Sequence, residues 1–256
     1  MSASGHTVNL LTRRPDEWND TITCEITDMR NTVINIIEGT LSKKSKNPED
    51  VIPDANVIIF CMPVHTQREV LGRIGPLIDR SKSDVFIGTI YGQAGFNWMV
   101  HEMERENRLK NVVCFAVGLI PWICRTLEYG FKAANYGGKQ VNICAVTPKD
   151  KFDELNQLVL EDICFHHHGV GKFVQACSFL SLTLSVDNQI IHPSRCYALW
   201  KKYGGQWDSI DSVPMFYRDF DDESAENLFK LDKEYTLIRE AVKKHFPARP
   251  FCKPSK

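Results

Sequence analysis

Residues 55–61 read ANVIIFC, from Ala55 to Cys61, with turn residues on either side. The run is short, β-branched and almost continuously apolar, the pattern of a strand buried on both faces. Similar runs recur at Val85 to Ile90, Val112 to Val117 and Val141 to Val146. Between them Gln67 to Arg80, Phe96 to Leu109 and Lys149 to Leu160 carry helical period and charge. Buried strands alternating with helices mean βαβ units and a mostly parallel, doubly wound sheet, so the fold class is α/β. Upstream, Thr7 to Leu11 reads as a strand, Thr21 to Ile26 and Thr32 to Ile37 as short β pieces, and Asn47-Pro48-Glu49-Asp50 as a helix start. Ligands of such sheets sit outside the carboxyl ends of the strands. The residues at those ends are Arg13 and Arg14, Pro63 to His65, Tyr91 to Gln93, and Leu119 to Arg125.

From about Ser178 strand-like runs stop and helical pattern takes over. The expected division is an α/β domain over residues 1–178 and a helical part over 179–256. The clearest helix is Asp222 to Phe246, where Leu228, Leu231, Tyr235, Ile238 and Val242 make one apolar stripe. Acids crowd its start and Lys243, Lys244 and His245 its end, as the helix dipole favours.

Within the helical part, Asp187 to Trp200 reads DNQIIHPSRCYALW. Proline suits the first turn of a helix and the residue before it is pushed away from helical geometry. The pattern predicts one helix ending near Asp187 and another starting at Pro193, with His192 at its N-terminal lip. The positive end of a helix disfavours an imidazolium, so His192 is expected to titrate low and to be available as a general acid/base. The bland alternative is a histidine that caps a helix or packs in the core.

Net charge is −1, which indicates no bulk attraction to nucleic acid or to an anionic membrane. The basic cluster Lys43, Lys44, Lys46 reads as a solvated loop. The nine cysteines are scattered with no CxxC pair, which fits free thiols in a reducing compartment and excludes a zinc knuckle. No signal peptide and no membrane-spanning run is read, so the expected location is the cytoplasm. His166-His167-His168 point three different ways in any regular backbone, which argues against a metal site. His65 reads as a turn-side residue.

A doubly wound sheet beside a helical part suggests a dinucleotide enzyme, whose glycine fingerprint joins the first strand to the first helix. It is absent. Gly169-Val170-Gly171 has Val174 where the third glycine belongs, and follows a helix. The chain opens on what looks like the second strand of such a fold. Arg13 and Arg14 follow it, where an arginine favours the 2′-phosphate of NADP and an acid would favour NAD. The alternative is two solvent-exposed arginines.

Four segments in order resemble the opine dehydrogenases, the octopine/nopaline dehydrogenase family. They are Tyr91-Gly92-Gln93-Ala94-Gly95-Phe96; Ile120-Pro121-Trp122-Ile123-Cys124-Arg125 with Glu128-Tyr129-Gly130; Ile191-His192-Pro193; and Trp207-Asp208 with Pro214-Met215-Phe216-Tyr217. The resemblance implies an incomplete Rossmann-type domain, lacking first strand and glycine loop, followed by the start of a helical domain. It implies NAD(P)H-dependent condensation of an amino acid with an α-keto acid such as pyruvate. His192 would be the catalytic acid/base, and Gln93 and Cys124 would line the keto-acid site. Leu119 stands where the family has threonine, so one polar substrate contact is replaced. The family's later aspartate and amino-acid-binding arginine have no counterpart, which points to an incomplete or short form.

Two other function classes stand beside this one, and the missing glycine loop favours the first of them for the sequence taken literally. One is a non-catalytic remnant of the family that binds a partner through an open sheet edge. The other is a ketopantoate-reductase-like or glycerol-phosphate-dehydrogenase-like enzyme, against which the Ile-His-Pro and Pro-Trp-Ile-Cys-Arg segments stand.

Overall fold

A computed structural model describes residues 1–28, 30–168, 171–185 and 187–247, with the side chains of 165–168 excluded. Strands are β1 (Asn9–Leu11), β2 (Thr21–Thr27), β3 (Val33–Thr40), β4 (Lys43–Ser45), β5 (Val57–Phe60), β6 (Val85–Thr89), β7 (Val112–Val117), β8 (Trp122–Glu128), β9 (Lys132–Gly138), β10 (Val141–Thr147) and β11 (Lys172–Gln175). Helices are α1 (Val64–Ile74), α2 (Phe96–Asn107), α3 (Phe152–Leu155), α4 (Glu161–His168), α5 (Phe179–Thr183), α6 (Asn188–Tyr203) and α7 (Asp222–His245). A π-helical stretch, Asn156–Leu160, joins α3 to α4.

The chain forms two compact units, Met1–Thr183 and Leu184–Lys256. In the first, a five-stranded sheet runs in the order β11-β10-β7-β6-β5. Strands β5, β6 and β7 are parallel, whereas β10 runs antiparallel to β7. The apolar runs of the sequence explain the sheet directly. Val85, Ile87, Val112, Cys114 and Ala116 enter one core with α1 and α2; Phe86, Val113, Phe115 and Val117 enter the other with α3, α4 and the π turn. Alternate side chains of one strand are therefore buried on opposite faces, and each is worth about 1.5–3 kcal/mol relative to exposure for a large aliphatic or aromatic group. Gly88 is required between them, since a Cβ there would enter the Phe115 ring.

The doubly wound sheet is interrupted. β1 pairs in parallel with β4 as a separate two-stranded ribbon, and no described strand pairs with the outer edge of β5. The strand within Ala55 to Cys61 is thus the edge of its sheet, with Ile58 and Phe60 buried on one face and Val57 and Ile59 only partly covered on the other. A third sheet, β3-β2-β9-β8, contains two hairpin pairings, of which the sequence announces only β2 and β3. Asn47 to Asp50 begins no α-helix; Pro48–Asp50 is one 3-10 turn. Helix α1 starts earlier than expected and stops before Pro76, whose ring a continuing helix would not accommodate.

Seven described cysteines are free thiols, whereas Cys177 is disulfide-bonded, which corrects the expectation of free thiols throughout. Three of the free ones, Cys61, Cys124 and Cys196, are exposed. No described helix is long and apolar enough to cross a membrane.

In the second unit, α7 has the expected span and its acidic and basic ends. The expected break before Pro193 does not occur. Helix α6 begins at Asn188 with Pro193 inside it, and His192 lies in its second turn rather than at its start. Proline there deletes one N–H that would reach four residues back, a single bond close to the helix start where the deficit is smallest. The next residue's hydroxyl, on Ser194, donates to the Ile190 carbonyl at 2.5 Å.

Candidate functional site

The carboxyl ends of β6 and β7 meet at Gln93. The turn from β6 to α2 is held in left-handed backbone at Ala94 (φ 53°) and Gly95 (φ 77°). Gly92 N–H donates to Val117 O at 2.7 Å, and a Cβ on Gly92 would strike Ala116, so only glycine permits this approach. Gln93 is 6% exposed, and its amide nitrogen donates to the Gly118 carbonyl at 3.2 Å. A buried amide tied across two strand ends is a rigid element of a crevice floor rather than a mobile turn residue.

Cys124 does not sit in a loop after a strand, as the sequence suggests. It lies inside β8, exposed, opposite Asn135 of β9. Strand β8 starts with Trp122, which packs against the core cluster that Val57 and Ile59 of β5 also contact. Although Cys61 as a residue is exposed, its thiol is pushed up to about 11, by desolvation of the sulfur first and by the Cys124 thiol second. Cys24 of β2 is also raised, by burial, then by Cys124 and Glu25. Cys61 and Cys24 were not singled out from the sequence; the position of Cys61 at the end of a buried strand was the available signal.

The hairpin of β8 and β9 is pinned to the segment after β1. Gly130, at φ 71°, turns the hairpin, and its carbonyl accepts from Asn19 N–H at 2.9 Å. The Arg14 guanidinium lies 4.5 Å from the centre of the Tyr129 ring and pairs with Glu17 at 3.0 Å. Trp18 meets Tyr129 edge-on at 5.6 Å. Thus Glu128-Tyr129-Gly130 is brought to Arg14. Arg13 is exposed and makes no ion pair among the described residues.

A dinucleotide would meet these residues unequally. Arg13 and Arg14 lie just past the end of β1, Arg13 exposed and Arg14 already engaged with Glu17 and Tyr129. No glycine-rich turn follows β1; the chain passes through Thr12-Arg13-Arg14-Pro15 into a 3-10 turn. His65 is exposed in the first turn of α1. The side chains of His166, His167 and His168, and residues Gly169 and Val170, lie outside the described residues. Among the described residues no group of three His, Cys, Asp or Glu is arranged to hold a metal ion.

In the second unit His192 is exposed on α6, with the Phe216 ring 4.9 Å away and tilted by 35°, and the Tyr217 ring 6.4 Å away nearly edge-on. The Ile191-His192-Pro193 and Pro214-Met215-Phe216-Tyr217 segments thus form one cluster. Beneath it lies Arg195, 1% exposed, whose Nη1 is 3.3 Å from Asp221 Oδ2 and donates to Ser224 Oγ at 3.2 Å. Nothing in the sequence pattern singled out Arg195.

No family profile matches the chain. It is 27% identical over 205 residues to the opine dehydrogenase of Haliotis discus hannai, which spans 77% of this chain and 47% of that protein. A solved structure of octopine dehydrogenase with NADH and L-arginine superposes with a TM-score of 0.76 at 20% identity, over 98% of this chain and 62% of that one. The octopine dehydrogenase structure with NADH and pyruvate gives 0.75 at 21% identity, over 98% and 64%. The chain therefore spans about half to three-fifths of the length of these proteins. It is related to the opine dehydrogenases by sequence, and its fold is theirs: a Rossmann-like α/β unit followed by a helical one.

Proposed function

We propose that this chain, a relative of the opine dehydrogenases, serves NAD(P)H-dependent reductive condensation of an amino acid with an α-keto acid such as pyruvate. The observation that carries the proposal is the sequence relation itself, which runs through the segments that hold Gln93, Cys124 and His192. In that chemistry the amine condenses with the keto carbon, water leaves, and the carbon–nitrogen double bond is reduced. Reduced dinucleotide, when bound, supplies the hydride. The chain's own residues supply the rest. Arg13 and Arg14 hold the ribose-phosphate end, and a 2′-phosphate would meet the Arg13 guanidinium. Gln93 has one N–H engaged with Gly118; the second N–H of the same amide, with Cys124, faces the keto-acid carboxylate. His192 gives up and takes back the proton at the reacting centre. The catalytic place of His192 is supported by its position in the Ile-His-Pro segment and by its exposed ring, packed against Phe216 with Tyr217 beside it.

The test begins with the purified chain titrated with NADH and NADPH by fluorescence or calorimetry. A screen of pyruvate with single amino acids then follows dinucleotide oxidation. Binding in the micromolar range, with turnover reduced by about 10²–10⁴ in His192→Ala, is the expected result. A second reading, a non-catalytic binding protein of the same family, is favoured by one feature: no described strand pairs with the outer edge of β5. No binding of either dinucleotide at millimolar concentration would replace the first reading by the second.

A further inference from the structure

Arg195 is among the largest fully buried side chains of the chain, and it carries a charge. Its Nη1 reaches Asp221 and Ser224, its guanidinium carbon lies 5.7 Å from the centre of the Phe220 ring, and Nε and Nη2 have no hydrogen-bond partner among the described residues. A buried guanidinium with two nitrogens unpaired is not explained by stability, because apolar side chains of similar volume often serve a core as well or better. What the ion pair does is fix a place. Asp221 caps α7, accepting Ser224 N–H at 3.0 Å and the Ser224 hydroxyl at 2.5 Å. Two residues upstream, Asp219 closes the 215–219 turn: its Oδ2 accepts Met215 N–H at 2.8 Å and its own N–H donates to Met215 O at 3.2 Å. The top of that turn is Phe216 and Tyr217, the two rings on His192. On α6, His192 and Arg195 are three residues apart and so occupy neighbouring positions of one face.

We propose that Arg195 is a positioning residue for His192: it clamps the Pro214–Asp221 strap onto α6, and the strap's Phe216 and Tyr217 rings hold the imidazole. Its catalytic consequence rests on the function proposed above; the clamp itself does not. Tyr217 is 67% exposed, so little besides the strap's anchoring at Asp221 and the 215–219 turn holds that ring in place.

The test uses the full chain with ring-labelled histidine, the His192 resonance being assigned by its absence in His192→Gln. Stacked aromatic rings displace that resonance, and loss of the clamp returns it toward the free-histidine position. Arg195→Met and Asp221→Asn are expected to do so, and Arg195→Lys, which keeps a cation, to restore part of the displacement. Leu199→Ala, elsewhere on α6, lowers stability without moving it. If the chain turns over opines, Arg195→Met lowers kcat by on the order of tenfold to a hundredfold with KM for the dinucleotide unchanged, as a misplaced group does. An unchanged His192 resonance in both Arg195→Met and Asp221→Asn overturns the proposal, as does an equal displacement in Leu199→Ala. Should Asp221→Asn not fold, Arg195→Met and Arg195→Lys decide the matter by the same resonance.

Discussion

Replacing Gly130 by alanine tests how the hairpin that carries Cys124 is held to the rest of its unit. Gly130 sits at φ 71°, a conformation that costs an alanine about 1–2 kcal/mol. The added Cβ would also stand 1.9 Å from the Glu17 carbonyl oxygen, far inside contact distance, and 3.0 Å from Trp18 Cα. Backbone must move, and the bond it would break is Asn19 N–H to Gly130 O, worth about 1 kcal/mol. The sum is roughly 3 kcal/mol, at the upper end of ordinary point substitutions. For a chain of this size that lowers Tm by about 6–12 °C. The assay is a urea melt with the wild-type slope, backed by a thermal melt. Gly204→Ala separates the two contributions: Gly204 also has positive φ, 63°, yet nothing lies within 4 Å of its Cβ position, so about 1–2 kcal/mol is expected. If Gly130→Ala costs no more than Gly204→Ala, the contact with Glu17 does not hold the hairpin and the reasoning fails.

The Arg195–Asp221 pair predicts an asymmetry. Asp221→Asn keeps the helix cap but leaves a buried cation uncompensated, for a loss of about 3–5 kcal/mol; Arg195→Met leaves Asp221, 29% exposed, to solvent and costs much less. Equal losses in urea melts would contradict the burial. Hydrogen bonds from Ser224, and then Arg195 and Lys202, lower the pKa of Asp221, so its contribution is present above the unfolded carboxylate value of about 4 and lost as pH falls through the folded value. Acid melts should show that loss in the wild type and a flatter profile in Asp221→Asn. The Cys61 thiol, raised to about 11, should be alkylated by iodoacetamide at a rate that grows about tenfold per pH unit from pH 7 to pH 10. A rate at Cys61 that levels off below pH 9, read by peptide mass spectrometry, would contradict it.

What the sequence made legible follows from which forces are local. The two-faced burial of β6 and β7 is written in Val85–Thr89 and Val112–Val117, because nearly every residue there is apolar and period alone decides. The turn at Gln93 was legible for the same reason: Gly92 and Gly95 mark backbone that other residues resist. Strands β8 and β9 were not, since WICRTLE and KAANYGG mix charges, alanine and glycine with few β-formers. Pairing of β9 with β2, and of β8 with β9, makes them strands, and β2 is about a hundred residues away, beyond any local pattern. The edge position of β5 was likewise invisible, because a strand's sequence records what covers its faces, not what lies beside it.

Pro193 shows a local rule overruled. Its ring is compatible with starting a helix, but Asn188 to Ile191 already form a turn, and continuing it loses a single bond. The consequence reaches function, for His192 is then presented from the body of a helix, and what sets its surroundings is not the helix end but whatever lies across α6. That is the strap of Phe216 and Tyr217, and its anchor is Arg195, a residue whose type would place it in water. The charge is buried because Asp221 and Ser224, from the start of another helix, come to meet it. A pattern read along one helix gives the spacing of His192 and Arg195; only the second helix, arriving from beyond a loop, tells which of the two is the anchor and which is the group being held.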